Sequence, residues 1–554
     1  MEKKKLSFIE YIKFMSIKSK GYLRFIPLIF ILSLIFSIIS IFIALLGKVF
    51  IDNLLALDIN IILKAVAISI SAYLFGAFLS FGNSYLQKFI TDKLKIKMQL
   101  SFYNNMQYSE FIFFSNLSSS DIYYRMFNDI GIIVDFYLNL IINLPIKIIV
   151  FVISLGIMLN WSWQLTLAII ALILIQMIIM VVFRKPIRIR AEKAIESDQT
   201  LISQINEDML KGDLCRNLAL EEYNYKKIVP FFEISRKNRL NSTKFNLLYS
   251  TAISVSSQII NVCLLLLGIF FVVRESITIG SLMGISMLVG YIYQPLNDLF
   301  NIIISYQPTK ISFIRYKEFD EKLDNNNLTG KEEFVNGDIK ITNLSFSYGT
   351  NNVLKNFNAT INKGEIAFLE GANGTGKTTL MRLITRAFHP SIGSISISNV
   401  DIFDIDYKKF RTNVIAMSSE PIIINDSFRK NIIVDREFTD DKINDIIHTC
   451  ALDEVVSKLE NGLDTPLGLG NAGLSMGELQ KVSLARILIR QPKILILDEP
   501  LSHIDSTSCN EILDTLRSYN VKNNATIIII GHDDRINTIA TQRICLDKVH
   551  KVSI

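Results

Sequence analysis

Long uncharged runs of apolar residues dominate the first three hundred positions of the chain. A helix needs about 20 residues to cross the apolar core of a bilayer, and four of the runs suit one helix each. The run from Ile148 to Phe183 is too long for one, and its centre, LNWSWQLT at 159–166, holds both tryptophans and polar groups typical of a membrane interface. The pattern therefore predicts six spans, at about 25–47, 65–87, 138–159, 163–183, 245–273 and 277–304.

Lysine and arginine cluster on one side of these predicted spans. Basic segments precede the first span, follow the second at Lys88–Lys97 and follow the fourth at Arg184–Arg190. Because cytoplasmic loops carry the excess of Lys and Arg, the chain ends and the connections at about 88–137 and 184–244 are predicted to be cytoplasmic. Lys147 falls inside the third apolar stretch, where snorkelling to the interface is favoured over lining a substrate path.

The hydropathy and the residue pattern of the sequence change after Thr309. Hydropathy falls, DNNNLTGKEE at 324–333 is typical of a polar linker, and from about Asp338 short β-branched strands alternate with helical stretches. We therefore expect a membrane domain at 1–320, a linker at 321–335 and an α/β domain at 336–554. The net charge of +6 is small and the five cysteines show no CxxC spacing, so neither nucleic-acid binding nor a zinc or disulfide framework is indicated.

A phosphate-binding loop is predicted directly after the strand Ile366–Leu369. GANGTGKT, at Gly371–Thr378, fits the pattern G-x-x-x-x-G-K-[ST] without a mismatch. The glycines let backbone N–H groups turn towards phosphates, and the following helix points the positive end of its dipole at them. Lys377 would reach the terminal phosphates and Thr378 would hold Mg²⁺. The predicted nucleotide contacts are Gly371, Ala372, Asn373, Gly374, Thr375, Gly376, Lys377, Thr378 and Thr379.

An acidic element follows in ILILDEP, at Ile494–Pro500. A buried apolar strand that ends in Asp498 would place a carboxylate beside the Mg²⁺, and Glu499 would polarise an attacking water. Alone, such a strand is often only a strand that meets a turn. Together with the phosphate loop it predicts a hydrolysis site.

The order of these motifs resembles that of ATP-binding cassette (ABC) exporter half-transporters. The resemblance runs nearly end to end, and it implies an all-α six-helix transmembrane domain followed by an α/β P-loop ATPase domain. It further implies that Tyr348 stacks on adenine and that His532, after IIIIG, contacts the γ-phosphate. Ser475 and Gly477 of GLSMGELQK, in the place of the family's signature, would face an ATP bound to the opposite cassette.

The chain departs from the family pattern around the nucleotide. Ser419 stands where the family has a glutamine that helps to hold Mg²⁺, and its shorter hydroxyl would reach the metal only through water. In the signature, Met476 replaces a glycine, and its side chain threatens a clash with the phosphate. Glu478 replaces a glutamine, and its charge would repel phosphate unless it points away. Leu469 stands where the family often has an acid.

The resemblance implies ATP-driven export by alternating access, in the cell membrane, with the cassette in the cytoplasm and with ATP and Mg²⁺ bound. The chain would act as a homodimer, or as a heterodimer with a related half-transporter, surrounded by membrane lipid and without nucleic acid. The cargo would be an amphiphile, which leaves peptides, drug-like molecules and lipids open.

The alternative is a nucleotide-gated regulatory or sensor membrane protein with little ATP turnover. The departures at Ser419 and Met476 favour it, whereas the intact Glu499 disfavours it. Because only about 24 residues precede the first span, no N-terminal peptidase domain is expected.

Overall fold

The structure is a computed structural model that describes residues 8–55, 59–108, 117–321, 330–372, 374–468, 473–502 and 504–546. The described residues form two compact units: the membrane unit ends at Glu321, and the cassette unit begins at Gly330. Most of the predicted linker, Asn373 of the phosphate loop and Leu469 lie outside the described residues.

The membrane unit is built from helices. They are α1 (Phe8–Lys18), α2 (Ile26–Leu55), α3 (Ile59–Gln107), α4 (Ser119–Tyr124), α5 (Ile130–Leu138), α6 (Leu144–Trp161), α7 (Trp163–Leu210), α8 (Gly212–Asn217), α9 (Glu221–Val273) and α10 (Ile279–Glu321). Two π-helical segments, Arg125–Asp129 and Asn139–Asn143, join α4, α5 and α6 into one rod. The helices α7 and α9 pack along each other, and α2 packs against α3 and α10.

Among the described residues, six helical stretches are long and apolar enough to cross a membrane, which confirms the number of predicted spans. They are Ile26–Leu54, Ile59–Gln107, Asp121–Trp161, Trp163–Met209, Glu221–Val273 and Ile279–Phe319. The helices run well beyond the predicted spans because hydropathy marks only the part that suits lipid, whereas the i to i−4 hydrogen bonds of a helix continue into polar sequence.

The third and fourth spans separate at Ser162, inside the polar stretch that predicted the break. Ser162 has extended backbone angles (φ −160, ψ 103), and its side chain accepts a hydrogen bond from the Leu165 N–H at 3.3 Å. Ser162 is therefore the N-cap of α7. Its side chain satisfies an N–H group that has no partner within the helix.

The described part of the cassette unit contains two larger sheets and one short antiparallel pair of strands. Its strands are β1 (Ile339–Tyr348), β2 (Asn351–Ile361), β3 (Ile366–Glu370), β4 (Ile392–Ile397), β5 (Val400–Asp401), β6 (Val414–Met417), β7 (Asp426–Ser427), β8 (Pro466–Leu467), β9 (Ile494–Asp498), β10 (Thr526–Ile530) and β11 (Gln542–Cys545). An antiparallel sheet has the order β2-β1-β4-β5, a parallel sheet has the order β11-β3-β10-β9-β6, and β7 pairs with β8.

Helices cover the parallel sheet, and its central strands are apolar except at their ends, because both of their faces are buried. The helices are α11 (Lys377–Ile384), α12 (Tyr407–Asn413), α13 (Phe428–Ile433), α14 (Asp440–Thr449), α15 (Asp453–Lys458), α16 (Met476–Leu488) and α17 (Ser506–Asn523). The strands β3, β9 and β10 are parallel neighbours, so their carboxyl ends meet at one edge of the sheet. In open α/β sheets this is the edge where ligands bind.

Candidate nucleotide-binding site

The phosphate loop connects β3 to α11 through two glycines with left-handed backbone. Gly374 has φ +80 and Gly376 has φ +100, a region that favours glycine. At Gly376 space is limiting as well, since an added Cβ would lie 2.9 Å from Cγ1 of Val353. The loop therefore needs both glycines to turn the chain directly into the start of a helix.

Lys377, the first residue of α11, folds back over this loop. It is buried, and its Nζ donates to the carbonyl oxygens of Gly371 at 2.5 Å and Ala372 at 3.3 Å. The same Nζ lies 2.8 Å from Nε2 of His532, which follows β10. Burial lowers the pKa of the Lys377 ammonium below its ordinary value. The structure thus brings together the predicted lysine and the predicted histidine.

The two predicted metal ligands next to the loop are in contact. Thr378 Oγ1 donates to Oδ2 of Asp498, the last residue of β9, at 3.1 Å. Burial raises the pKa of Asp498, and the hydrogen bond from Thr378 opposes that rise. A hydroxyl and a carboxylate oxygen in contact form the start of an oxygen ligand set.

This ligand set fits Mg²⁺ that arrives with a nucleotide. Within the described ranges no group of three or more His, Cys, Asp or Glu side chains is placed to hold a metal ion. Mg²⁺ is usually bound through one or two protein oxygens, with phosphates and water completing its octahedron. Thr378 and Asp498 would supply the protein part.

Glu499 has a strained backbone beside the carboxylate of Asp498. Its φ of +49 is uncommon for a residue with a side chain, and such outliers persist where surrounding contacts fix them. The Glu499 N–H donates to the carbonyl oxygen of Ile530 in β10 at 2.8 Å, and its carboxylate accepts from the Ser502 hydroxyl at 3.1 Å. Both contacts hold the half-buried glutamate at the carboxyl edge of the parallel sheet.

Tyr348, predicted to contact adenine, ends β1 close to the phosphate-loop helix. Its hydroxyl lies 3.5 Å from Oγ1 of Thr379. Its ring meets those of Phe346 and Phe388 edge to face, with centroids 5.1 and 5.6 Å apart. The ring is partly exposed at 39%, so one face of this aromatic cluster is open to solvent.

The signature helix α16 begins with a capping box. Ser475 is the N-cap, and its Oγ accepts from the Glu478 N–H at 3.3 Å. In return, Glu478 Oε2 accepts from the Ser475 N–H at 2.7 Å and from the Ser475 hydroxyl at 2.9 Å. Met476 is 46% exposed. The sequence indicated that Glu478 would repel phosphate unless it pointed away, and the structure places its carboxylate directly on Ser475.

Gly477 and Ser419 have neighbours in the helices α17 and α16, and not in the phosphate loop. A Cβ on Gly477 would lie 3.3 Å from Oγ of Ser508 in α17. The backbone carbonyl of Ser419 accepts from the buried Gln480 of α16 at 2.8 Å. None of the hydrogen bonds found between described residues joins Ser419 or the signature to Thr378 or Asp498.

Two polar side chains near the signature helix, the buried Asn431 and the half-buried Arg486, were missed by the sequence reasoning. Asn431 is fully buried in α13, and its side chain accepts from the Ile424 N–H at 2.8 Å and from Arg486 of α16 at 3.0 Å. The Arg486 Nε also donates to the Asn431 carbonyl at 2.6 Å. The only signal in the sequence was an asparagine inside the apolar end of FRKNII. These contacts tie the segment after Ser419 to α16.

The chain belongs to the ABC transporter family. The model for the ABC transporter transmembrane region matches residues 26–296, and the model for the ABC transporter cassette matches residues 354–502. The cassette is therefore an ATP-binding domain, and the six helical stretches make the chain a multi-pass membrane protein.

Similar proteins include a transport/processing protein and a lipid flippase. The chain is 25% identical over 470 residues to the transport/processing ATP-binding protein ComA of Streptococcus pneumoniae, which covers 83% of this chain and 64% of that protein. It is 27% identical over 453 residues to the ATP-dependent lipid A-core flippase of Desulfotalea psychrophila, which covers 79% of this chain and 77% of that protein. The fold matches that of a bacterial Atm1-family ABC exporter with ATP bound, with a TM-score of 0.83, 18% identity and coverage of 95% and 94% of the two chains.

Proposed function

We propose that this chain is a half-transporter that dimerises and uses ATP hydrolysis to export an amphiphilic cargo across the cell membrane. The family and the six spans support transport driven by ATP. The main observation that supports hydrolysis is the cluster at the carboxyl edge of the parallel sheet. There Lys377 contacts His532, and Thr378 donates a hydrogen bond to Asp498. The names of the relatives, which include a lipid flippase, support an amphiphile as cargo.

The residues of the cluster have separate tasks in this proposal. The loop from Gly371 to Thr379 holds the phosphates of ATP through backbone N–H groups, and Lys377 adds a positive charge. Mg²⁺, when bound to Thr378 and Asp498, would neutralise charge on the phosphates. Glu499 orients and polarises the attacking water, and His532 holds the γ-phosphate.

Two cassettes complete each other in this proposal. Ser475 and Gly477 face the ATP that is bound to the partner cassette, while Tyr348 stacks on the adenine of the chain's own ATP. The sites are then shared between chains, and both a homodimer and a heterodimer with a related chain are compatible with this division. Nucleotide drives alternating access only to the extent that it binds one state of the dimer more tightly than the other.

A second candidate is a nucleotide-gated sensor with little ATP turnover. The observation that favours it is the capping box, because the Ser475 hydroxyl is bonded to the carboxylate of Glu478. A negative charge at that point opposes the approach of a phosphate. The serine at position 419 adds a weaker metal ligand.

The test is steady-state ATPase activity of the full chain in lipid nanodiscs, compared with Glu499→Gln. We expect turnover to fall at least about 100-fold in the variant, as is typical on removal of a general base, with ATP binding retained. Glu460→Gln, an exposed glutamate on the same unit, is the matched control and should keep full activity. A wild-type chain that binds ATP but turns over no faster than Glu499→Gln would contradict an active homodimer, and a related partner chain would then be sought before the sensor is considered.

A further inference from the structure

The exposed side of α1 carries isoleucines and lysines in alternation. Ile9, Lys13, Ile17 and Lys20 follow one another at steps of four, four and three residues, which places them on one side of the helix and of the turn after it. Ile9 is 76% exposed and Ile17 is 62% exposed. Isoleucines beside lysines suit the boundary between water and lipid, where apolar side chains enter the acyl region and lysine stems reach out of it.

The opposite side of α1 is anchored in the membrane unit. Tyr11 and Met15 are buried, and the Tyr11 hydroxyl donates to the carbonyl oxygen of Ile133 in α5 at 2.7 Å. The Tyr11 ring also meets the ring of Phe313 in α10 edge to face, with centroids 5.2 Å apart. Because one side of α1 is fixed in this way, the lysines of the exposed side extend from a backbone that is held in place.

A second basic element, on α3, lies against the end of α1. Lys97 Nζ donates to the carbonyl oxygen of Lys18 at 2.7 Å, and Lys18 Nζ donates to the hydroxyl of Ser101 in α3 at 3.1 Å. Lys93 lies one turn before Lys97, nearer to the apolar part of α3, and Arg24 directly precedes the first predicted span. The basic residues are therefore gathered where the first two spans reach the cytoplasm.

The carboxylates around this region are already paired with other cations. The ion pairs are Glu10 with Lys317, Asp92 with Lys88 and Asp135 with Lys95. Six more cations belong to none of the ion pairs between residues that the structure describes, and they are Lys13, Lys18, Lys20, Arg24, Lys93 and Lys97. We call these six residues, together with Ile9 and Ile17, the α1–α3 basic surface. Its positive charge is not balanced by a carboxylate of the described chain.

We propose that the α1–α3 basic surface binds the headgroups of anionic phospholipids in the cytoplasmic leaflet. A cluster of about four to eight Lys and Arg residues directly on the cytoplasmic side of a span is the pattern that attracts such lipids. The exposed Ile17 favours a lipid over a soluble phosphate, since its side chain can insert beside acyl chains. This inference goes beyond the proposed export, because it concerns the membrane around the chain and not the cargo.

Photo-labelling of the full chain in nanodiscs tests the proposal. The probes are phosphatidylglycerol and phosphatidylcholine with the same diazirine on one acyl chain, close to the headgroup, each diluted into unlabelled phosphatidylcholine. Labelled residues are mapped by mass spectrometry. We expect the anionic probe to label the α1–α3 basic surface at least about tenfold more than the neutral probe. The exposed apolar residue Leu266 of α9 is the internal reference, which both probes should label equally. Equal labelling of the basic surface by both probes would overturn the proposal.

A pair of charge-removing variants sharpens this test. Lys20→Gln combined with Lys93→Gln removes two exposed charges from different elements of the surface, and the preference for the anionic probe should fall about tenfold. The matched control is Lys193→Gln combined with Lys237→Gln, which removes two exposed charges from α7 and α9 and should keep the preference. An equal fall in both double variants, or no fall in the first, would contradict the site. The mapping on the unmodified chain does not depend on whether a variant folds.

Two further conditions separate a lipid from a soluble anion. At about 1 M salt the Debye length is only about 3 Å, so the preference for the anionic probe should fall at least about fivefold. A preference that salt leaves unchanged would contradict an electrostatic site. Glycerol 3-phosphate, which has a phosphate but no acyl chain, should not displace the probe even in excess. Displacement by it would overturn the lipid and indicate a site for a soluble phosphate. The labelling needs no ATP, so its outcome is independent of turnover.

Discussion

The phosphate loop and the signature of this cassette are both turns that lead into a helix, but they carry opposite charges at the helix start. Lys377 is a buried cation in the first turn of α11, whereas Glu478 is an anion in the first turn of α16. The N-terminus of a helix has a partial positive charge, so it disfavours a lysine and favours a glutamate. In the proposed function a phosphate of ATP completes the first helix start, whereas the second is already satisfied by its own side chain.

The largest effect is expected from Lys377→Ala, which removes the cation from the phosphate loop. ATP affinity should fall about 100-fold, or roughly 2.7 kcal/mol, which is within the range for hydrogen bonds to charged groups. Nucleotide binding to the detergent-free chain in nanodiscs measures it. Lys355→Ala, an exposed lysine on β2, is the control and should bind ATP as wild type. An unchanged affinity in Lys377→Ala would mean that the loop does not hold ATP in the proposed way.

A smaller effect is expected when the signature is restored to the family pattern. Glu478→Gln keeps an oxygen that can accept from the Ser475 N–H but removes the charge. Turnover should rise about tenfold, which corresponds to about 1.4 kcal/mol, because the substitution removes a negative charge that opposes the approach of the partner's phosphate. Adding Met476→Gly should raise it further by clearing the exposed side chain. The ATPase rate of the homodimer checks both variants, and no gain in either would show that the signature does not limit turnover.

The smallest effect is expected for Ser419→Gln, on the Mg²⁺ dependence of the ATPase activity. Ser419→Gln should lower the Mg²⁺ concentration for half-maximal ATPase activity about fivefold, since a direct ligand that replaces an ordered water gains up to about 1 kcal/mol. A Mg²⁺ titration of wild type and variant gives the shift. Ser418→Gln, at the exposed neighbouring position, is the control. A shift of equal size in both variants would show that position 419 has no special access to the metal.

The fold could be predicted well from the sequence because its strongest signals are local. Uncharged runs mark the six spans, and the polar centre of one long run marks the break at Ser162. The lengths of the helices could not be predicted in this way, since Glu221–Val273 is held by backbone hydrogen bonds well outside its apolar part. Motif spacing placed the phosphate loop after β3 and the acids at the end of β9.

The parts of the site that the sequence did not reveal depend on partners far along the chain. Lys147 was interpreted as a snorkelling residue, but the structure pairs it with Asp298 of another helix. The hydrogen bond from Gln480 of α16 to the carbonyl of Ser419 joins a helix to a loop that no motif connects with it. The capping box of Ser475 is local and could have been predicted, since S-x-x-E before an apolar run is its known pattern.

That capping box also bears on how a single chain matures before it meets a partner. A serine N-cap is worth about 1 kcal/mol to a helix, and an acid in the first turn adds roughly 0.3–1 kcal/mol. Helix α16 therefore gains stability at its N-terminus from its own residues, before nucleotide or a second subunit is bound. In the proposed dimer the same glutamate would oppose a phosphate of the partner's ATP, so one side chain would have opposite effects on the folding of the monomer and on the function of the dimer.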